Sequence, residues 1–424
     1  MSDTIFALSS GAPPAAISVI RISGPGASMA LSALTGRLPP ARRASRMRLL
    51  DMAGEVLDDA LVLWLPGPGS ATGEDTAELH CHGGRAVVNA IEGALSRLPE
   101  LRRATPGEFT RRAFVNGRID LAEAEGLADL LAAETDLQRR SALAMAGGML
   151  SRKVEAWRDR LLEASAAVEA VLDFADEDDV AVLPPDFSAK LERLRAEIGD
   201  CLTRPRAEVL KEGYRVVLAG PPNSGKSTLF NALVESDAAI TAAVAGTTRD
   251  VLTRPVAIGG IPFLFVDTAG LRDTMDEVEA IGVERARSQL ERADLVLWLG
   301  GEGEGPVDAW EIAPQADRIE YPAKAHPRHR VSAATGFGMD GLRDDLIDHA
   351  RHALPGAGEV AINARQSRYL AEAEWLLGCA RELSDPLLIA EHLRLSRICF
   401  DSLVGRTATE DMLDALFGRF CIGK

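Results

Sequence analysis

The stretch GPPNSGKST, residues 220–228, follows the apolar run RVVLAG and leads into an apolar-periodic segment. It fits the pattern G-x-x-x-x-G-K-S, which works only between a strand and the start of a helix. Its glycines let the backbone amides turn inward, so those amides and the helix N-terminus cradle phosphate. Lys226 then reaches the terminal phosphates and the Ser227 hydroxyl coordinates Mg²⁺, with Asn223, Ser224, Gly225 and Thr228 completing the loop. From Tyr214 onward strands alternate with helices: RVVLAG, PFLFVDTAG and ADLVLWLG are each followed by a loop and a helical pattern. This order predicts a parallel sheet with crossover helices, an α/β P-loop domain over residues 212–355.

Three further elements follow in the order a small GTPase requires. Asp267, Thr268, Ala269 and Gly270 form DTAG at a strand end, as a metal-side carboxylate and a γ-phosphate-sensing glycine do. Thr247 and Thr248, in AGTTRD, are placed to complete the magnesium shell from a mobile loop, and Ser332, Ala333 and Ala334 open SAATG, which suits a loop closing over guanine. A P-loop ATPase is the competing reading. The N-K-x-D element is altered, and two registers compete for it. Ala323, Lys324, Ala325 and His326 keep the lysine and lose the asparagine and the acid, whereas Pro314 to Asp317 (PQAD) keep the acid ahead of the strand. The first register is preferred, and it predicts a weakened choice of GTP, because unpaired polar groups are what give such pockets selectivity. Ras-like enzymes orient water with a glutamine after D-x-x-G, but Leu271 stands here; Asp276, Glu277 or Glu279 could serve instead, against the plainer reading of exposed helix acids.

The remainder of the chain reads as two other kinds of structure. Strand candidates AISVIRIS, ALVLWLP and DTAELHCH with a helix through RAVVNAIEGALSRL make residues 1–117 an α+β domain. From residue 118 to 211 the pattern is helical, with Leu150, Val154, Trp157, Leu161, Ala164, Val168 and Leu172 as one apolar stripe. Helical periodicity resumes over 356–424, where Thr407 and Glu410 predict a capping box. The α/β segment therefore reads as inserted between two halves of an all-α domain. A net charge of −16 disfavours nucleic-acid binding by the whole surface, yet residues 1–119 carry 13 basic against 11 acidic side chains. Arginines gather in GRLPPARRASRMRLL and LRRATPGEFTRRAF, either as a solvated face or as an RNA-docking patch. Five scattered cysteines suit reduced thiols, and with no apolar run of bilayer length and no secretion signal the expectation is a cytoplasmic protein without membrane contact. His80, Cys81 and His82 alternate along a strand, so they are poor zinc ligands as a set. Cys421, three residues from the end in GRFCIGK, would on its own be read as inert.

The conjunction of PGEFTRRAFVNGRIDLAEAEGLADLL, an inserted domain with GPPNSGKS, AGTTRDV and DTAGLRD, and a terminal FCIGK resembles the MnmE (TrmE) tRNA-modification GTPases over essentially the whole chain. That resemblance implies a homodimer formed through a folate-binding N-terminal domain. It also implies a heterotetramer with the FAD-binding MnmG protein, which adds an aminomethyl or carboxymethylaminomethyl group at C5 of wobble uridine in tRNA. The carbon comes from 5,10-methylene-tetrahydrofolate, for which the 5-formyl compound is an analogue. By the same resemblance Arg21, Glu78, Arg118 and Lys424 contact folate, and Glu279 orients the attacking water. K⁺ sits at Asn223 with Ala242, Val244 and Thr247 and activates hydrolysis as two GTPase domains pair, while Cys421 lies beside the folate at the modification site. The chain departs from the family in reading GAPPAAIS where PPGRG is usual, and in carrying Arg118 at a lysine-like position. The alternative function is a GTP-dependent assembly switch of the ribosome-maturation type.

Overall fold

Alternation of apolar and polar residues builds the first sheet. In the computed structural model, which describes residues 3–173, 182–204, 207–235, 239–241, 252–268, 287–318, 324–356, 360–407 and 409–423, strands β1 (Thr4–Leu8) and β2 (Ile17–Ser23) pair antiparallel at its centre. Helix α1 (Ala27–Thr35) follows, then β3 (Ser45–Leu50), β4 (Val56–Leu65), β5 (Thr76–His82), α2 (Arg85–Ser96), β6 (Leu101–Arg103) and α3 (Glu108–Val115). The strand order is β3-β4-β5-β2-β1-β6, antiparallel except for the β1–β6 pair. One face carries Ile20, Ile22, Leu49, Val62 and Leu79 into a core with Leu31 of α1 and Ile91 and Leu95 of α2. On the other face Ile5 and Ala7 pack with Phe109 of α3. Further along that face Val19, Arg21, Leu61, Glu78, His80 and His82 are half-buried or exposed.

Helices α4 (Leu121–Ala132), α5 (Asp136–Ala146), α6 (Met149–Asp173), α7 (Phe187–Leu202) and α8 (Ala207–Glu212) come next. Thr135 and Gln138 form a reciprocal capping box that starts α5. The stripe predicted for α6 is buried from Leu150 to Val168, but it closes on Val171 in place of Leu172, which is half-buried. The 3.6-residue period carries the core face onto the earlier residue.

Tyr214–Ala219 (β7) opens the second sheet, followed by α9 (Lys226–Val234), β8 (Ala239–Thr241), β9 (Leu252–Ile258), β10 (Ile261–Asp267), β11 (Leu295–Trp298), β12 (Trp310–Ala313), β13 (His329–Arg330) and α10 (Met339–Ala353). Its order is β13-β12-β11-β7-β10-β9-β8. Five strands are parallel as expected, but β9 runs antiparallel to β10, and β8 to β9. Pro255 hides β9 from a sequence reading. It stands opposite Leu264 of β10 in the antiparallel ladder, and among the described residues β8 pairs with Val256 to Ile258. The apolar faces of these strands meet α9 and α10 in one core, with Val216, Phe265, Leu297, Ile312, Leu342 and Leu346 at its centre.

The chain ends with α11 (Ala364–Glu382), α12 (Pro386–Leu403) and α13 (Glu410–Phe417). Helix α11 packs on α7, where Arg195 meets Glu374 at 2.9 Å and Arg381 meets Glu192 at 2.5 Å. The predicted Thr407–Glu410 box is replaced: Thr409 is the N-cap, without a side-chain cap, and Thr407 exchanges a 2.7 Å hydrogen bond with Ser402. Two compact units result, one of residues up to 128 together with those from 401, the other of residues 129–400. No described helix is long and apolar enough to cross a membrane.

Candidate functional site

Strand β7 is the pivot of the second sheet, since the chain reaches β10 on one side of it and β11 on the other. Ligands of open α/β sheets settle in the crevice beyond the carboxyl ends of strands at such a switch point. The phosphate loop lies there, between β7 and α9. Gly225, the N-cap of α9, has φ +93° and Asn223 has φ +60°, so the loop curls through left-handed conformations that glycine and asparagine accept most readily. Lys226 is buried, and its ammonium donates to the Gly220 and Pro221 carbonyls at 3.0 and 2.8 Å. Those carbonyls keep the charge in place within the loop. Asp267 is fully buried at the end of β10 in register with Leu218 of β7, and the Thr268 hydroxyl donates to the Leu218 carbonyl at 2.8 Å. Hard oxygen donors from Ser227 and Asp267 at this crevice suit Mg²⁺.

A cavity of about 720 Å³ opens over the loop. Asn223, Gly225, Lys226, Ser227, Thr228 and Thr268 bound one part of it, and Ala333 and Ala334 line it as expected. The preferred guanine register is corrected here. Lys324 is buried away from the cavity lining, donating to the Trp298 carbonyl at 2.9 Å and pairing with Glu311 at 2.5 Å, and the Ala325 and His326 amides are held by Glu302. Pro314 to Asp317 instead follow β12 directly, and Pro314, Gln315 and Asp317 line the cavity. Ser332 donates to Asp317 at 2.6 Å, which holds that carboxyl below the usual carboxylate range and ready to accept hydrogen bonds. The signal was present in the sequence as an acid four residues after a strand. The four-residue WEIA is too short to stand out as that strand, and the lysine of the other register is the more conspicuous match. Ala242, Val244, Thr247, Thr248, Ala269, Gly270, Leu271, Asp276, Glu277, Glu279 and Ala323 lie outside the described residues.

The first unit holds the other predicted residues. Arg21 grips one carboxylate oxygen of Glu78 with two nitrogens, at 3.0 and 2.9 Å, and His80 approaches the other at 3.2 Å. Burial alone would raise the Glu78 carboxyl, but Arg21 and then His80 outweigh it and hold it low. Arg21 also lies 5.7 Å from the centre of the Phe109 ring. The terminal segment reaches the neighbouring strand: Ser9 donates to the Gly423 carbonyl at 2.8 Å, and the Gly107 amide to that of Cys421 at 3.4 Å. A Cβ on Gly423 would stand 2.0 Å from the Leu8 oxygen, so only glycine fits at this contact. Leu8 and Ala7 are the cross-strand partners of Ile20 and Arg21, which puts the Cys421 segment one strand from the Arg21–Glu78 pair. Cys421 is exposed, whereas burial pushes Cys81 up to about 11 and Cys399 up to about 12. The Arg118 side chain lies against Gly73 on the approach to β5, and Lys424 is outside the described residues. His80 and His82 share the half-open face and bind Glu78 and Asp58, while Cys81 faces the core.

The arginines of LRRATPGEFTRRAF are engaged internally. Arg102 holds Asp3 and Glu108, Arg103 holds Glu92, Arg111 holds Glu410 and Asp414, and the fully buried Arg112 holds Asp3, Glu74 and Glu108. They form an ion-pair lattice around α3, in which each guanidinium has a carboxylate partner.

A phosphate loop at the switch point, with the hydroxyl-braced Asp317 on the same cavity, defines a P-loop nucleotide-binding domain of the GTPase type. Residues 4–118 match the family described as GTP-binding protein TrmE N-terminus, and residues 121–421 match the MnmE helical domain. The chain is 63% identical over 437 residues to the tRNA modification GTPase MnmE of Novosphingobium aromaticivorans, with all of each chain covered. It is 62% identical to that of Erythrobacter litoralis, again over the whole of both, and 58% to that of Rhizorhabdus wittichii, covering 100% of this chain and 97% of the other. The chain belongs to the MnmE family.

Proposed function

We infer that this chain is the GTP-hydrolysing subunit of a tRNA wobble-uridine modification system, in line with the name its full-length relatives carry. One observation carries the nucleotide half of this reading: the phosphate loop and Asp317, which accepts from the buried Ser332, open on a single cavity. Asp317 accepts from the donor edge of guanine, Lys226 leaves its two loop carbonyls for the terminal phosphates, and Ser227 with Asp267 and Thr248 holds Mg²⁺. Glu279 orients the water. K⁺ at Asn223, Ala242, Val244 and Thr247 supplies fixed positive charge beside the phosphates, the strongest lever on phosphoryl transfer.

The modification half adds an aminomethyl or carboxymethylaminomethyl group at C5 of the uridine, with carbon from methylene-tetrahydrofolate and redox chemistry from FAD on MnmG. The Arg21–Glu78 pair on a half-open sheet face, one strand from the anchored Cys421 segment, supports a folate pocket with a thiol beside it. A guanidinium and a carboxylate there suit folate's glutamate and pterin, and the exposed thiol is placed to act on the uridine or an activated intermediate. The packing of α7 on α11 supports residues 212–355 being an insertion within helical segments 118–211 and 356–424, after an N-terminal folate-binding and dimerisation domain over 1–117. A cytoplasmic homodimer assembled with MnmG completes the reading.

The test is GTP turnover by the full chain in K⁺ and in Na⁺, with ATP as control. Turnover in K⁺ at least about tenfold above that in Na⁺, with ATP inert, is expected. Equal rates in both salts would remove the K⁺ site, and absence of GTP hydrolysis would remove the whole reading.

A further inference from the structure

Residues 4–50 contain six arginines and no acidic side chain, in a chain whose net charge is −16. Such segregation leaves these cations dependent on acids from elsewhere, and two of them obtain one: Arg21 pairs with Glu78 and Arg46 with Asp59. Arg37, Arg42, Arg43 and Arg48 are exposed and make no ion pair among the described residues. Nearby acids are otherwise engaged or distant along the strand: Asp58 is held by His82, Asp51 accepts from the Ala53 and Glu55 amides, and Glu55 itself lies past the turn at the far end of β3. The contrast is with LRRATPGEFTRRAF, where every guanidinium has its carboxylate. Position adds to charge. Strand β3 is an edge of the first sheet, and Arg42 prolongs that edge, its amide donating to the Trp64 carbonyl at 2.7 Å and its guanidinium to the Gly69 carbonyl at 2.9 Å. Cross-strand partners share a face, so the row Arg46, Leu61, His80 and Val19 runs from this edge to β2, and the next row on that face ends in Glu78 and Arg21. Three strand spacings, about 14 Å, separate the edge from that pair.

We propose that the β3 edge and the loop before it form a docking surface for the phosphate backbone of RNA, which leads a nucleotide along the sheet face toward the Arg21–Glu78 pair. A guanidinium meets phosphate oxygens with paired N–H donors. Because four of these arginines have no carboxylate to give up, phosphate displaces their counterions without breaking an ion pair of the protein. A single-stranded loop, whose bases splay outward, suits the span from edge to pair. Edge arginines also deter pairing between sheets, but that accounts for Arg46 and Arg48 alone, since Arg37, Arg42 and Arg43 precede the strand. A second copy meeting this edge across a two-fold axis would set arginine against arginine. The inference rests on the tRNA-modification reading and names the surface by which that substrate enters.

The test is binding of the full chain to a fluorescently labelled tRNA transcript over a series of KCl concentrations. Arg37→Gln, Arg43→Gln and Arg48→Gln combined should weaken binding about tenfold at roughly 0.1 M salt and flatten the slope of log K against log salt by about two, at about 0.7 to 0.9 per phosphate contact. GTP turnover without RNA should be unchanged. The same three positions changed to lysine should keep the slope, because charge sets it, and Arg111→Gln, which removes an already paired cation, should leave it unaltered. The proposal is overturned by an unchanged slope in the glutamine variant, by a lysine variant that behaves like the glutamine one, by an equal flattening in Arg111→Gln, or by no tRNA binding in the unsubstituted chain. Loss of binding to phosphatidylserine vesicles with tRNA binding intact overturns it in favour of a lipid surface. The modification reading fails separately, if tRNA from a strain lacking this chain keeps its modified wobble uridine.

Discussion

The two regions to which we assign chemistry in our proposal are assembled in opposite ways. The nucleotide cavity is built from short contiguous loops at strand ends, and Asn223 to Thr228 act as neighbours in both sequence and space. The thiol-bearing face of the first unit joins Ser9 to Gly423, residues 414 positions apart. A site of the first kind announces itself as a motif. A site of the second kind is invisible until the chain is folded.

The sharpest way to break this contrast is Cys421→Ser. If the terminal segment is a chemical site, tRNA modification should fall below detection while GTP turnover stays within about twofold, as expected for loss of a nucleophile. Nucleoside analysis of tRNA beside phosphate release checks it, and loss of both activities would make the segment structural. Lys226→Ala should lower single-turnover GTP hydrolysis roughly a thousandfold, the upper range for one transition-state donor. An unchanged rate would mean that the cavity is not the phosphate site.

Glu108 probes the scaffold of the first unit. Burial would raise its carboxyl, but Arg102, the Thr105 amide and Arg112 together bring it down to about 2 from an ordinary 4.5. A depressed folded value means the stabilisation is fully present above pH about 4.5 and is lost as pH falls toward 2. It amounts to about 3 kcal/mol at neutral pH. Denaturant unfolding of Glu108→Gln should show that loss at pH 7 and a flatter acid limb, and an unaltered acid limb would remove Glu108 as its cause. The smallest effect separates the two guanine registers. Asp317→Asn should weaken GDP about a hundredfold, from two charge-assisted hydrogen bonds lost. Lys324→Met should leave GDP affinity nearly unchanged and cost about 2 kcal/mol of stability by stranding Glu311. The reverse pattern would restore the register first preferred.

Legibility followed the range of the interactions. Strands β2, β4 and β5 were readable from alternation, and the phosphate loop from spacing, because backbone and side-chain requirements coincide there. Strand β9 was hidden by Pro255, because a residue without an N–H argues against a strand until its place in the ladder is known. The role of Lys324 was misread for a related cause: its partners Trp298 and Glu311 belong to different strands, and only folding decides whether a lysine meets a ligand or a carboxylate. The partners of the arginine cluster were illegible for the same reason, since its acids are Asp3, Glu74, Glu92, Glu108, Glu410 and Asp414.

The clasp between Ser9 and Gly423 bears on how the protein is made. Synthesis runs from the amino end, so the sheet that emerges first from the ribosome has its rim completed only by a piece translated some 400 residues later. Until then the nascent first unit exposes the seat of Gly423 beside Leu8, and the Cys421 segment docks there as a late event of biogenesis, after the nucleotide-binding segment has had time to fold.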